Sequence, residues 1–402
     1  MRLPPPLVAL SGVAAATIPS SLHMLDSIMS RGQGTVSSSG AVTSTLESGL
    51  LAAALAAAIT QYPSSPSFPR YADYLGQVIS VASPALGDAA HDAAAVPLDR
   101  FSIATGIDAA RAAAAAPIPA VAAVDAAYLA VNASLALQPR NPDGGFWYYV
   151  YPDWSYLDGM YSLLPFMAAA RPAVDYADMA LQVRLLARRC RHADSGLYVH
   201  GYDWSRTAVW ADPVTGASPL VWGRSLGWFL AGLVQAWERL DCHDRRGEGD
   251  APCAEMREAV VDAAPRLVAL ADAETGAWWQ LPTLGGRPGN FLESSSTALF
   301  VFALLKARRL GLLEAVSGCC GEGCGGADRI RRAALRAYDY ARANFVTDAG
   351  NGTVGFNGTV AVCSLNSTAT FEYYTSRPLV PNGLLGSAAF VLASLEVEKL
   401  AA

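Results

Sequence analysis

The chain has 402 residues, is 52% hydrophobic and only 16% charged, and carries a formal net charge of −6. That balance excludes a disordered or coiled-coil chain, and with no basic tract longer than a few residues it argues against nucleic acid as a partner. Ala is abundant, so close-packed helices are expected, and any acidic ligand must be met by local positive charge.

Met1-Arg2-Leu3 and then Leu7 to Ile18 join a basic start to an apolar stretch, with small residues at Ala14 to Ala16. Residues 1–20 read as a secretory signal peptide and residues 21–402 as one catalytic domain. Sequons at Asn132, Asn351, Asn357 and Asn366 also point to secretion, and the last three crowd a Gly-rich loop expected at the surface. No segment beyond the leader has the length to span a membrane. Cys242 and Cys253 flank a polar loop that a disulfide could close. Cys319, Cys320 and Cys324 lie in a Gly-rich insertion, where loop-stapling disulfides fit better than zinc because no paired C-x-x-C or His-x-x-x-His accompanies them.

Glycine-aromatic turns recur at Gly144-Gly145-Phe146-Trp147, Ser195-Gly196-Leu197-Tyr198 and Gly276-Ala277-Trp278-Trp279. After each comes a polar residue opening an Ala/Leu-rich helix. Such starts lie near Glu47, Asp99, Asp158, Arg224, Glu293 and Asn382. From Leu226 the apolar positions Phe229, Leu230, Leu233, Val234, Trp237 and Leu240 follow one helix face. Glu293 to Leu310 and Leu384 to Leu400 are apolar on most sides, as inner helices would be. Val174 to Arg189 and Asp328 to Asn344 are more charged and read as outer ones. Alternating inner and outer helices predict an all-α (α/α)6 barrel, with a hairpin of strands expected in Asn351 to Val362. The inner helices' N-terminal ends would then converge on one cavity, favourable to an anion.

Between Tyr156 and Trp228 three polar clusters stand at helix mouths: Leu157-Asp158-Gly159-Met160, His200-Gly201-Tyr202-Asp203-Trp204 and Trp222-Gly223-Arg224-Ser225-Leu226-Gly227-Trp228. Carboxylates move protons, Arg and His hold an anionic group, and indoles stack on sugar rings. Asp158, among aromatics, is the leading general acid, its pKa expected to rise by desolvation; a helix-capping role is the alternative. Arg224 needs an anion, either on a ligand or on Asp203 or Asp212. His200, one of five histidines, is a candidate ligand contact, although a lone histidine is more often a satisfied structural residue than a catalytic one. Asp99 and Glu293 are candidates for a second acid, with Asp99 preferred. No dinucleotide fingerprint, P-loop, nucleophile elbow or metal motif is present, so no cofactor and no metal is expected.

The blocks Gly144-Gly145-Phe146-Trp147, Leu157-Asp158-Gly159-Met160-Tyr161 with Pro165-Phe166-Met167-Ala168, His200-Gly201-Tyr202-Asp203, Trp210-Ala211-Asp212-Pro213, Trp222 to Trp228, Gly289 to Ser295 and Phe371-Glu372-Tyr373-Tyr374 resemble the family 105 glycoside hydrolases, the unsaturated rhamnogalacturonyl hydrolases. The resemblance runs in order over about residues 140 to 400. It implies an (α/α)6 barrel acting on an anionic oligosaccharide with a 4,5-unsaturated uronic acid at its non-reducing end, left by pectin lyases. The implied reaction is hydration of the double bond, after which the hemiketal opens and expels the next sugar. By the same resemblance Asp158 is the general acid and base and Asp99 the second active-site acid. His200, Arg224 and Trp228 contact substrate, with Trp222, Tyr148 and Glu293 beside them, and Arg224 partners the uronate carboxylate. Two departures stand out: Ser44-Thr45-Leu46-Glu47 replaces an aromatic-containing block, and Tyr148 or Tyr149 stands where many relatives have a His. Alternatives are an inverting hydrolase of saturated glycosides on the same barrel and a non-catalytic carbohydrate-binding protein.

Overall fold

The computed structural model describes residues 18–34, 44–113, 122–169, 174–244, 250–314, 316 and 326–400. Most of the leader reading (1–17) and Cys319, Cys320 and Cys324 lie outside the described residues. In chain order the helices are α1 (Ser20–Ser30), α2 (Ser44–Gln61), α3 (Phe68–Ala82), α4 (Ala89–Ala95) and α5 (Phe101–Ala113). Next come α6 (Ala122–Leu137), α7 (Met160–Met167), α8 (Tyr176–Arg189), α9 (Gly223–Arg239) and α10 (Asp250–Ala269). The chain ends with α11 (Ser294–Arg309), α12 (Gly326–Asn344), the short α13 (Phe371–Thr375) and α14 (Leu384–Glu398).

Apolar patterning decides which helices go inside. α11 and α14 are buried on nearly every side, from Ser294 to Ala307 and from Leu384 to Glu396. A helix apolar all round must be surrounded by other helices. α2 packs on α5, α5 on α7, α7 on α9, α9 on α11, α11 on α14, and α14 returns to α2, closing the inner ring. Outside it, α1 lies on α14, α3 on α2, α6 on α5, α10 on α9, α8 on α10, and α12 on α11. This is the (α/α)6 barrel, and the six polar starts expected from sequence each fall within the first turn of an inner helix or within two residues ahead of it.

Close approach shapes the ring. α7 and α9 meet so tightly that a Cβ on Gly232 would strike the Met160 carbonyl. In the glycine-aromatic turns, Gly144, Gly196 and Gly276 sit at φ of 88°, 68° and 80°, a left-handed geometry that L side chains resist. At the end of the ring away from the mouth, Arg309 binds Glu396 at 2.8 Å, Lys399 joins the same carboxylate at 2.8 Å, and Lys306 pairs with Glu238. These pairs tie α9, α11 and α14 together.

The strands differ from expectation. The hairpin is β3 (Val346–Asp348) with β4 (Val354–Phe356). Only its second strand falls in the expected stretch, because the first runs directly off α12. A further antiparallel pair, β1 (Trp154–Tyr156) and β2 (Gly201–Asp203), has no sequence signal of its own. Three-residue strands show too little alternation to be read. Cys242 and Cys253 do form a disulfide, with Cα atoms 5.6 Å apart. Asn351, Asn357 and Asn366 are exposed. Among the described residues no helix is long and apolar enough to cross a membrane.

Candidate active site

β1 and β2 build the site. Their register sets Trp154 opposite Asp203 and Tyr156 opposite Gly201, and Leu157 N–H donates to the His200 carbonyl at 3.0 Å. The residue two beyond β1 is Asp158 and the one before β2 is His200, so two residues 42 apart in sequence come side by side. His200 Nε2 lies 3.3 Å from Asp158 Oδ2. Its Nδ1 is 2.8 Å from the Tyr374 hydroxyl. The approach to Asp158 is not aligned as a hydrogen bond, and Nε2 is buried without such a partner, while Nδ1 shares a hydrogen bond with the Tyr374 hydroxyl. Burial keeps the Tyr374 phenol well above its ordinary pKa, so it remains a donor. Ser225, on the first turn of α9, donates its hydroxyl to the same Asp158 oxygen. Asp158 does not cap its helix: the N-cap of α7 is Gly159.

A cavity of about 280 Å³ opens at the mouth of the ring. Leu46 of α2, Asp99 ahead of α5, Asp158 ahead of α7, Arg224 and Trp228 of α9, and Leu385 of α14 all line it. Five of the six inner helices thus bring their N-terminal ends to one hollow, where the helix dipoles favour negative charge. Tyr148, Tyr149, Tyr151, Tyr156 and Trp222 supply aromatic walls, with Tyr148 and Tyr156 stacked at 4.5 Å.

Asp99 is fully buried, and Tyr148 donates to its Oδ2 at 2.9 Å while Oδ1 has no partner. Burial is the largest influence and lifts its carboxyl from 3.8 to about 7; the Tyr148 bond opposes this, and the Asp158 charge adds to it. Desolvation thus acts strongly on Asp99. Burial, with the charges of Asp99 and Asp158, likewise keeps Tyr148 a phenol.

Two expectations from sequence, those for His200 and Glu293, need correction, and one alternative for Arg224 falls away. Arg224 pairs with neither Asp203 nor Asp212. Its Nη1 donates to Val360 O at 2.5 Å and to Ser295 at 3.4 Å, and its Nη2 to Ala361 O at 2.8 Å. Asp203 instead ties down the loop that follows it, through Ser205, Thr207 and Ala208, and Asp212 caps Val214 and Thr215. Three of the five guanidinium N–H groups are spent in this way, and the side chain also lines the cavity. His200 is completely buried and does not line the cavity; it acts on Asp158 from behind, 4.7 Å from the Trp222 ring. Glu293 is also buried away from the cavity. It caps α11 through Ser296 N–H at 2.6 Å and accepts from Val360 N–H at 3.0 Å. It thus anchors the segment that Arg224 grips.

Ser225, Tyr156 and Tyr374 were not picked out by sequence reasoning, although each stands within or next to a block already notable. Their roles depend on partners far along the chain. Among the described residues no group of three or more His, Cys, Asp or Glu is placed to hold a metal ion.

A six-hairpin ring whose mouth carries two carboxylates and aromatic walls is the architecture of the (α/α)6 glycosidases. Residues 122–401 match the model of Glycosyl Hydrolase Family 88. Protein Atu3128 of Agrobacterium fabrum is 34% identical over 207 residues, spanning 50% of this chain and 82% of that protein. Among solved structures, a family 105 glycoside hydrolase of C. acetobutylicum matches with TM-score 0.78 at 23% identity, over 95% of this chain and 100% of that one. The unsaturated glucuronyl hydrolase of Bacillus sp. GL1, responsible for degradation of glycosaminoglycan, matches with TM-score 0.61 at 12% identity, over 94% and 95%. The chain belongs to glycosyl hydrolase family 88, within the family 88/105 group of unsaturated glycosyl hydrolases.

Proposed function

We propose that this glycosidase removes 4,5-unsaturated uronic acid from the non-reducing end of pectin-derived, rhamnogalacturonan-type oligosaccharides by hydrating the C4=C5 bond. The observation that carries this reading is how the Asp158 carboxylate is held at the cavity. Ser225 donates to its Oδ2 and His200 Nε2 stands 3.3 Å from the same oxygen, leaving Oδ1 for the alkene. In its acid form Asp158 gives a proton to C4, and positive charge develops at C5 and the ring oxygen. Water bonds to C5 and returns a proton to Asp158. The hemiketal so formed opens to a C5 ketone, leaving a hemiacetal at C1 that collapses to an aldehyde as the C1–O bond breaks and the next sugar leaves as its alcohol. Arg224 offers its two remaining N–H groups to the uronate carboxylate, and Asp99 takes a ring hydroxyl on its unpartnered Oδ1. Trp222, Trp228 and Tyr148 bound the ring.

The pectin assignment is supported by the residue blocks resembling family 105. The fold shared with the glucuronyl hydrolase favours, as a second reading, an unsaturated glycosaminoglycan fragment. Secretion is supported by the Cys242–Cys253 disulfide and by the exposed Asn351, Asn357 and Asn366.

The test is ultraviolet-monitored digestion of lyase-generated oligosaccharides from pectic and glycosaminoglycan polymers. Loss of alkene absorbance is expected, fastest on the pectic set. Asp158→Asn should lower turnover by at least ~10² while substrate still binds. Reducing-sugar release from saturated oligosaccharides without any absorbance change would defeat the proposal.

A further inference from the structure

Beside the catalytic cavity lies a larger hollow of about 410 Å³. The two share Val362 and Leu385, and the segment from Val360 to Val362 stands between them. Arg224 holds that segment from the catalytic side through the Val360 and Ala361 carbonyls.

Arg31, at the end of α1, lines the second hollow. Its Nε donates to Gln33 Oε1 at 2.8 Å and its Nη1 to Val354 O at 2.9 Å, both neutral acceptors. Gln33 in turn donates to Asn382 O at 2.8 Å, which fixes the guanidinium against the entry to α14. Its Nη2 is buried without a hydrogen-bond partner. Among the described residues, Arg31 forms no ion pair with a carboxylate. Burial depresses the Arg31 pKa, and no acid offsets that. A half-buried guanidinium given only neutral acceptors, with one nitrogen shut off from water and unpartnered, gains from an anion that reaches it.

Building on the hydration reaction proposed above, but not on a neutral rhamnose as the next sugar, the geometry points to this hollow as the site of the leaving saccharide, with Arg31 binding a carboxylate or sulfate group on it. The enzyme then selects substrates that carry a second negative charge beyond the unsaturated ring.

The probes are three unsaturated uronyl disaccharides differing only in the reducing-side sugar: a galacturonate, its methyl ester, and a sulfated neutral sugar. Binding is measured by calorimetry on the Asp158→Asn protein, with and without Arg31→Gln, and turnover separately on the wild type. We expect the acid to bind about tenfold more tightly than the ester, worth about 1.4 kcal/mol, and Arg31→Gln to remove that preference while moving ester binding less than twofold. Whichever of galacturonate and sulfated sugar gains more identifies the acid group. Equal binding of all three to the protein with Arg31 intact overturns the inference, and that comparison needs no variant at Arg31 to fold. Absence of turnover on all three, with the binding preference intact, would count against the hydration reading alone.

Discussion

Asp99→Asn should stabilise the protein in a pH-dependent way while reducing its activity. Asp99 is wholly buried, and its carboxyl is raised from 3.8 to about 7. In the unfolded chain Asp99 loses its proton near its ordinary pKa, whereas in the fold it keeps the proton until about pH 7. Across that window the folded state binds more protons, so the stability linked to Asp99 is full below the unfolded pKa. It falls as pH rises, and levels off above the folded value. From pH 5 to pH 7 this amounts to about two units, or about 2.7 kcal/mol. Asparagine keeps the shape and the acceptor for Tyr148 but does not titrate. The assay is urea denaturation of both proteins at pH 5 and pH 8. The stability difference between variant and wild type should grow in favour of the variant by about 2–3 kcal/mol at the higher pH. An equal difference at both values would refute the reasoning, because a burial-raised carboxyl cannot be neutral in its linkage.

Ser225→Ala removes a hydrogen bond from a buried carboxylate, an interaction worth about 1.5–3 kcal/mol. Turnover should fall about tenfold or more with KM little changed, checked by steady-state kinetics; a pure KM effect would place Ser225 on the substrate instead. Glu293→Ala should cost about 2–4 kcal/mol in urea denaturation, since it removes the α11 cap and leaves the buried Val360 N–H without its acceptor. Reducing the Cys242–Cys253 bond, which closes a short loop with a sequence separation of 11, should cost roughly 3 kcal/mol of stability while leaving turnover intact. Thermal melts with and without reductant, alongside the absorbance assay, check both halves.

Much of the ring was legible along the chain because it is written locally. A helix apolar on all sides, such as α14, can only lie inside, and a charged one such as α12 can only lie outside. Polar residues ahead of those runs mark where the inner helices begin, and that alone singled out Asp99, Asp158 and Arg224. Side-chain direction at those starts is a different matter. Asp158 and Glu293 occupy comparable places, yet one faces the cavity and the other turns back to cap its helix. Periodicity carries no information about that choice.

What the tertiary structure decided is who meets whom. Ring closure brings Leu46, Asp99, Asp158, Arg224 and Leu385 to one hollow, and the short β1–β2 pair sets His200 behind Asp158 rather than against substrate. The Arg224 guanidinium, read from its neighbours as needing an anion, meets two backbone carbonyls supplied from more than 130 residues away. Local propensity and hydrophobic pattern act over a few turns of chain, and so they determine elements. Hydrogen bonds and desolvation at the mouth depend on packing between distant segments, and so only the folded ring assigns each polar residue its partner.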